Sequence, residues 1–301
     1  MYLKFYQKQL GEAPSFLQKY FDCPSLERLK RVGYFCGMDY ASKDIYRFAE
    51  KITRFDHSYN VSLLGYVLTH DEKTALMGLF HDIATPTFSH VIDYMNQDYM
   101  RMESTEEYTE DILKNDKELL KCLKEDHFDL EEISQFKNNS IIDCDRPGLC
   151  ADRLDGIVLT GFGWVKNMSI QDISSIVSHL EVYENEKGKQ EIGFNDSTVC
   201  DRVMDINEQI DLLCHSREDT YMMMLLAEIT KLGIQEKLFT YQDLYTLGEE
   251  DVFALLRKSR NPKVFQLLTE FYTLKREEVP DISLPLVKKR SVNPLVQGIR
   301  R

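Results

Sequence analysis

The sequence contains no CxxC pair, no apolar run of membrane-spanning length and no surplus of cations, and each absence closes off a class of protein. Its seven cysteines (Cys23, Cys36, Cys122, Cys144, Cys150, Cys200 and Cys214) are scattered and odd in number. That pattern argues against a disulfide framework or a zinc knot and points to a reducing compartment. The opening stretch from Met1 to Lys8 carries charges where a secretory leader needs apolar residues. A cytoplasmic location with no membrane partner is therefore expected. Acidic residues outnumber basic ones by 50 to 37, a formal net charge of −13. Gripping a nucleic-acid polymer needs clustered Lys and Arg, so that partner is not expected either. A small anionic substrate remains open, because it needs only one local cation or metal.

What the chain does have is the material of an ordinary globular protein. It is 301 residues long and 43% hydrophobic, with 16 Phe and 16 Tyr. A core of that size needs neither disulfides nor a structural metal for stability. Apolar residues recur at helical spacing over Ser25 to Val32, Ser58 to Leu68 and Ala75 to Phe80. Thr85-Pro86 then breaks the pattern, since proline removes a donor and biases its predecessor out of the helix. Further helices are expected over Ser104 to Leu113 and Leu149 to Leu159. Beyond Trp164 the texture changes. Leu180 to Glu184 and Gln190 to Phe194 flank Asn185-Glu186-Lys187-Gly188-Lys189 and read as a β-hairpin. Helices resume over Val199 to Leu213, Thr220 to Leu232 and Glu249 to Leu256, and the tail with Pro280, Pro285 and Pro294 reads as extended across the body. No repeat or low-complexity linker interrupts the chain. The expectation is an all-α fold with a small hairpin: a helical core over residues 1–165 and an accessory region over 166–301, packed as one unit. A homo-oligomer is left open.

Three short strings carry chemistry: Arg54-Phe55-Asp56-His57-Ser58, Leu79-Phe80-His81-Asp82-Ile83, and Ala151-Asp152-Arg153-Leu154-Asp155. Successive helical side chains diverge by about 100°, so His81 and Asp82 cannot both face one core, but they can straddle an ion over the helix end. His57 from the preceding helix and Asp152 from a later one complete a mixed nitrogen and oxygen shell. Two imidazoles and two carboxylates suit Mn, Fe, Co, Ni or Zn, with Mg less favoured because it prefers oxygen. Four protein ligands leave an octahedral ion room for water or substrate. The bland alternative for a buried His is a hydrogen-bonded core residue. His70, His127, His179 and His215 sit in contexts that suit surface or packing roles, as do Cys144 and Cys150. Met222-Met223-Met224 reads as core. Asp155, one turn from Asp152, reads as a salt-bridge partner as readily as a ligand.

The ordered H…HD…D set resembles the HD-domain superfamily of metal-dependent phosphohydrolases, and within it the deoxynucleoside triphosphate triphosphohydrolases. The likeness rests on Arg54 to Ser58, on Pro86-Thr87-Phe88-Ser89-His90 after the HD pair, and on Asp152 to Asp155. It covers residues 28–160 well and the remainder only in general texture. The resemblance implies a divalent metal on His57, His81, Asp82 and Asp152, and substrate phosphate on Arg54. Otherwise Arg54 is a helix-end ion-pair partner for Asp56 or another acid. Arg153 is a weaker second candidate for phosphate. His90 either orients a ligand from behind or ties two helices together, and Glu106 or Glu107 is the candidate proton-transfer group. Two positions depart from that branch: Thr85 and Thr105 stand where it usually has histidines for phosphate binding and proton transfer. Two functions follow. One is a phosphohydrolase acting on a nucleotide or other small phosphate ester through a metal-activated water. The other is a catalytically weakened module that binds a nucleotide or partner.

Overall fold

A computed structural model describes residues 1–100, 108–283 and 285–301. The helices are α1 (Tyr2–Leu10), α2 (Pro24–Leu29), α3 (Arg54–Thr69), α4 (Glu72–Phe80), α5 (Val91–Asn96), α6 (Thr109–Asn115), α7 (Lys117–Glu125), α8 (Leu130–Ser134), α9 (Ala151–Thr160) and α10 (Ile170–Ser178). Strands β1 (Leu180–Glu184) and β2 (Gln190–Phe194) separate these from α11 (Ser197–Cys214), α12 (Arg217–Gln235), α13 (Glu249–Leu256) and α14 (Pro262–Thr273), and β3 (Leu295–Val296) and β4 (Ile299–Arg300) close the chain. The all-α expectation holds. The start of the helix expected from Ser104, with Thr105, Glu106 and Glu107, lies outside the described residues. No helix among the described residues is long and apolar enough to cross a membrane.

The hairpin pairs antiparallel with Val182 opposite Ile192, in the strands expected for it. The extended tail returns to it. Leu295 pairs with Gly193 in parallel and β4 turns back on β3, making a sheet in the order β1-β2-β3-β4. A side chain at position 193 would lie 2.5 Å from the Leu295 carbonyl oxygen, so glycine is what lets the tail dock there.

Two helices set the stage for the site. A capping box starts α3: Thr53 Oγ1 accepts from Asp56 N–H (3.2 Å), and Asp56 Oδ2 accepts from Thr53 N–H (2.8 Å). Asp56 is consumed by that cap, which leaves His57 on the first turn facing inward. Asp71 caps α4 by accepting from Thr74 N–H (2.9 Å). The whole of α4 from Thr74 to Phe80 is buried. It crosses α3 closely because position 78 is glycine: a Cβ there would sit 3.0 Å from Ser62 Cα, Ser62 N and the Val61 carbonyl oxygen.

The hydrophobic interior has two parts. One gathers Leu26, Leu64, Leu76, Phe80, Leu154 and Val158 with Ile173, Ile192 and Val203, so its members come from both sides of residue 165. The other gathers Met38, Phe88 and Ile92 with Met222, Leu226, Phe253 and Phe271. The methionine run on α12 thus supplies core, as its composition indicated. Between the two parts lies a cavity of about 790 Å³.

Candidate metal centre

His57 and His81 approach each other from α3 and from the end of α4. His57 donates its Nδ1–H to Asp155 Oδ2 (2.6 Å), and His81 donates its Nδ1–H to the Gly78 carbonyl (2.7 Å). A carboxylate and a carbonyl accept but cannot donate to these ring nitrogens. The neutral tautomer so selected carries its lone pair on Nε2 in both rings. Those two Nε2 atoms are 3.3 Å apart. Asp152 Oδ1 stands 3.0 Å from His57 Nε2 and 3.6 Å from His81 Nε2. Asp82 Oδ2 stands 3.7 and 4.0 Å from the same two atoms.

Acceptors therefore converge where donors are scarce. For a metal–ligand distance of about 2.1 Å, neighbouring donor atoms lie about 3.0 Å apart and opposite ones about 4.2 Å. The separations here fall in that range, so the residues fit a divalent ion. Donor atoms of His57, His81 and Asp152 all lie within 4.8 Å of one another, and Asp82 stands at the rim of that group. The electrostatics agree. Burial disfavours a cation at His57, yet hydrogen bonds to Asp152 and Asp155 outweigh it and push the imidazole up to about 10. Burial likewise opposes charge on Asp152 and Asp82, but the two imidazoles, joined at Asp82 by Arg54, hold both carboxyls well below the usual range. This is a pocket shaped for positive charge.

Asp155 is the residue whose part was least legible. It is buried, sits one turn after Asp152, and orients His57 from behind. Its spacing from Asp152 was the available signal.

Arg54 is buried and faces the cavity, where Nη1 pairs with Asp82 Oδ2 (2.9 Å) and Nε–H donates to Ser89 Oγ (3.1 Å). Its ion-pair partner is Asp82 and not Asp56, which the helix cap has taken. Ser89 reaches it because Phe88 and Ser89 both adopt left-handed backbone, with φ of 66° and 47°. Such conformations cost non-glycine residues roughly 1–2 kcal/mol each. The Tyr34 ring covers both groups, 5.2 Å from the His57 ring and 4.9 Å from the Arg54 guanidinium. Tyr34 carried no sequence signal.

Of the remaining candidates, His90 lines the cavity and its Nδ1 contacts Asp93 on its own helix (2.9 Å). Thr85 is buried, its carbonyl accepts from Arg28 (2.8 Å), and it does not line the cavity. Arg153 donates to the Gly148 carbonyl (2.7 Å), to Asp143 (3.3 Å) and to the Cys144 thiol (3.2 Å), so it knits the loop before α9 together. Through Asp143 it also pairs with one member of a second group with metal-ligand spacing, Asp143, Cys150 and Asp152. His70, His127, His179 and His215 do not line the cavity.

A mainly helical scaffold that gathers two imidazoles and the Asp152 carboxylate at one point, with Asp82 at the rim, is compatible with the metal centre of a hydrolase. Comparison with known families agrees: residues 54–157 match the HD domain, a family typically made of metal-dependent hydrolases. The chain is also similar to the uncharacterized protein YdhJ of Bacillus subtilis (strain 168), with 25% identity over 225 residues. That alignment takes in 73% of this chain and 66% of the relative, so the matched part spans about two thirds of the relative's length.

Proposed function

We propose that the protein is a metal-dependent phosphohydrolase that cleaves nucleotides or other small phosphate esters with a metal-activated water. The observation that carries this reading is the convergence of His57 Nε2, His81 Nε2, Asp152 Oδ1 and Asp82 Oδ2 beside Arg54, with His57, Asp152 and Arg54 lining one cavity. The mixed donor set favours Mn, Fe, Co, Ni or Zn over Mg. Bound there, such an ion supplies Lewis acidity at a phosphoryl oxygen and lowers the pKa of a coordinated water.

The chain's own groups account for the rest. His57 and His81 hold the ion through rings whose orientation Asp155 and Gly78 set. Arg54, on the cavity side of Asp82, neutralises phosphoryl charge that faces it. His90, at the cavity wall, is our candidate for exchanging a proton with a leaving oxygen. Tyr34, Phe48, Tyr46 and Trp164 line the same cavity and offer an aromatic wall to an organic body. The triphosphohydrolase branch rests on the motif strings. Thr85 presents no group to the cavity, so fewer contacts are available to a polyphosphate. Simple esters and nucleoside monophosphates are accordingly the preferred substrates, above deoxynucleoside triphosphates.

The experiment is a substrate panel of these compounds with Mn, Co, Ni and Mg. Metal-dependent release of phosphate from monoesters supports the reading. Efficient triphosphate release would shift the proton-transfer and phosphate roles to His90 or Glu106. No turnover with any metal, alongside tight nucleotide binding, would sink it and leave the binding module.

A further inference from the structure

Beyond α14, residues 285–294 run as an extended strap along the cavity. It is stapled from several elements. Lys288 N–H donates to the Tyr99 carbonyl (2.9 Å), beyond α5, and Asn293 N–H donates to the Pro147 carbonyl (2.8 Å), before α9. Between them, Arg290 N–H donates to Asp211 Oδ1 (2.6 Å) and its carbonyl accepts from Asn207 Nδ2 (2.6 Å), both on α11. Arg146 adds a bond to the Ser291 carbonyl (2.9 Å). Val287, Arg290 and Val292 consequently line the same cavity as Arg54, His57 and Asp152.

The arginines on that cavity differ in one respect. Arg54 is paired with Asp82, Arg146 with the strap, Arg153 with its loop, and Arg300 with Glu191 (2.7 Å). The backbone of Arg290 is fixed, yet its guanidinium makes no hydrogen bond or ion pair with a described residue. The groups within electrostatic reach of it include Cys214, Cys36, Tyr34 and Asp219, together with Tyr94 and the like-charged Arg146. Asp219 accepts from the Tyr46 hydroxyl (2.6 Å). Cys36 and Tyr34 are also electrostatic neighbours of Arg54. Arg290 thus shares the cavity wall with Tyr34, whose ring lies against His57.

A guanidinium has five donors and no acceptor, and those of the half-buried Arg290 are open to the cavity it lines. Its planar fork matches the oxygens of a phosphoryl group. We propose that Arg290 is a substrate-binding residue, delivered by the C-terminal strap, and that the ligand it takes is a phosphoryl group in the cavity beside the metal centre. The inference rests on the phosphohydrolase reading for its choice of anion, but binding by Arg290 does not require turnover.

Isothermal titration of the full chain with inorganic phosphate, metal-free and Mn-loaded, tests it. Wild type is compared with Arg290→Ala, with Arg290→Gln (which keeps length and polarity without charge) and with the Arg257→Ala control at the far end of α13. Both Arg290 variants should bind phosphate about 10- to 100-fold more weakly in both metal states, with Mn content and melting temperature unchanged. Arg290→Lys should recover part of the loss, since it restores charge without the fork. Phosphate affinity equal to wild type in Arg290→Gln overturns the inference, and leaves the phosphohydrolase reading standing if the same Mn-loaded samples hydrolyse an ester. Absence of phosphate binding by wild type in both states also overturns it, and ester hydrolysis in those samples then decides separately whether the broader reading falls.

Discussion

The Nε2 atoms of His57 and His81 lie 3.3 Å apart, and neither ring is free to turn away, because each Nδ1–H is committed to a partner behind it. Without a metal a proton on the His57 imidazole, pushed up to about 10, occupies that space, and a divalent ion would take its place. The expected outcome is about one equivalent of transition metal per chain, read by elemental analysis after exhaustive desalting. His57→Ala and Asp82→Asn should abolish retention while keeping a cooperative helical melt. Chelation should lower the wild-type melting temperature by a few degrees, about what loss of a native-state ligand produces. A protein that neither retains nor rebinds Mn, Fe, Co, Ni or Zn would sink the site.

Asp155 touches the centre only through His57. Asp155→Asn keeps the shape and removes the charge behind the ring. Metal affinity should fall by about 10- to 100-fold, measured by competition with a fluorescent chelator, with helical content unchanged. Unaltered affinity would show that packing alone orients His57.

Gly78 joins packing to chemistry. Its missing side chain lets α4 approach the backbone of α3, and its carbonyl holds His81. Gly78→Ala should cost about 1–3 kcal/mol in urea unfolding, because backbone atoms, unlike flexible side chains, cannot give way. Metal affinity should drop with it, since the two histidines ride on the two helices forced apart. A stable variant with wild-type metal affinity would refute the link.

Glu249 predicts a pH dependence unconnected with the metal. It is buried, its Oε1 has no hydrogen-bond partner, and burial, reinforced by Asp39, pushes its carboxyl up to about 8. An unfolded Glu titrates near about 4.3. Between those values the folded state holds a proton that the unfolded state has released, so stability falls as pH rises, by at most about 1.4 kcal/mol per pH unit. Glu249→Gln mimics the protonated form and should melt above wild type near about pH 8, with the gain vanishing towards about pH 4. A gain that does not change with pH would show that the carboxyl is already ionised in the fold.

Much of this protein was legible from local pattern. The apolar spacing through Leu64 and Leu79 and the break at Thr85-Pro86 are signals within a few residues, and they locate the helices that carry His57, His81 and Asp82. The hairpin was legible for the same reason: Leu180–Glu184 and Gln190–Phe194 pair across a turn that their own sequence encodes. The strands β3 and β4 were not. Two residues each, they exist because the edge of β2 accepts a tail that arrives from about a hundred residues away. Nor could sequence choose Asp82 over Asp56 as the partner of Arg54, since that choice follows from where the caps and the crossing of α3 with α4 leave each carboxylate. Tyr34 over His57, and Arg290 across the cavity, depend on contacts between segments that share no local pattern. Local sequence determined which residues could bind a cation and which elements would carry them. Packing between distant elements decided which of those groups meet, because separations between elements are set by the side chains that fit between them.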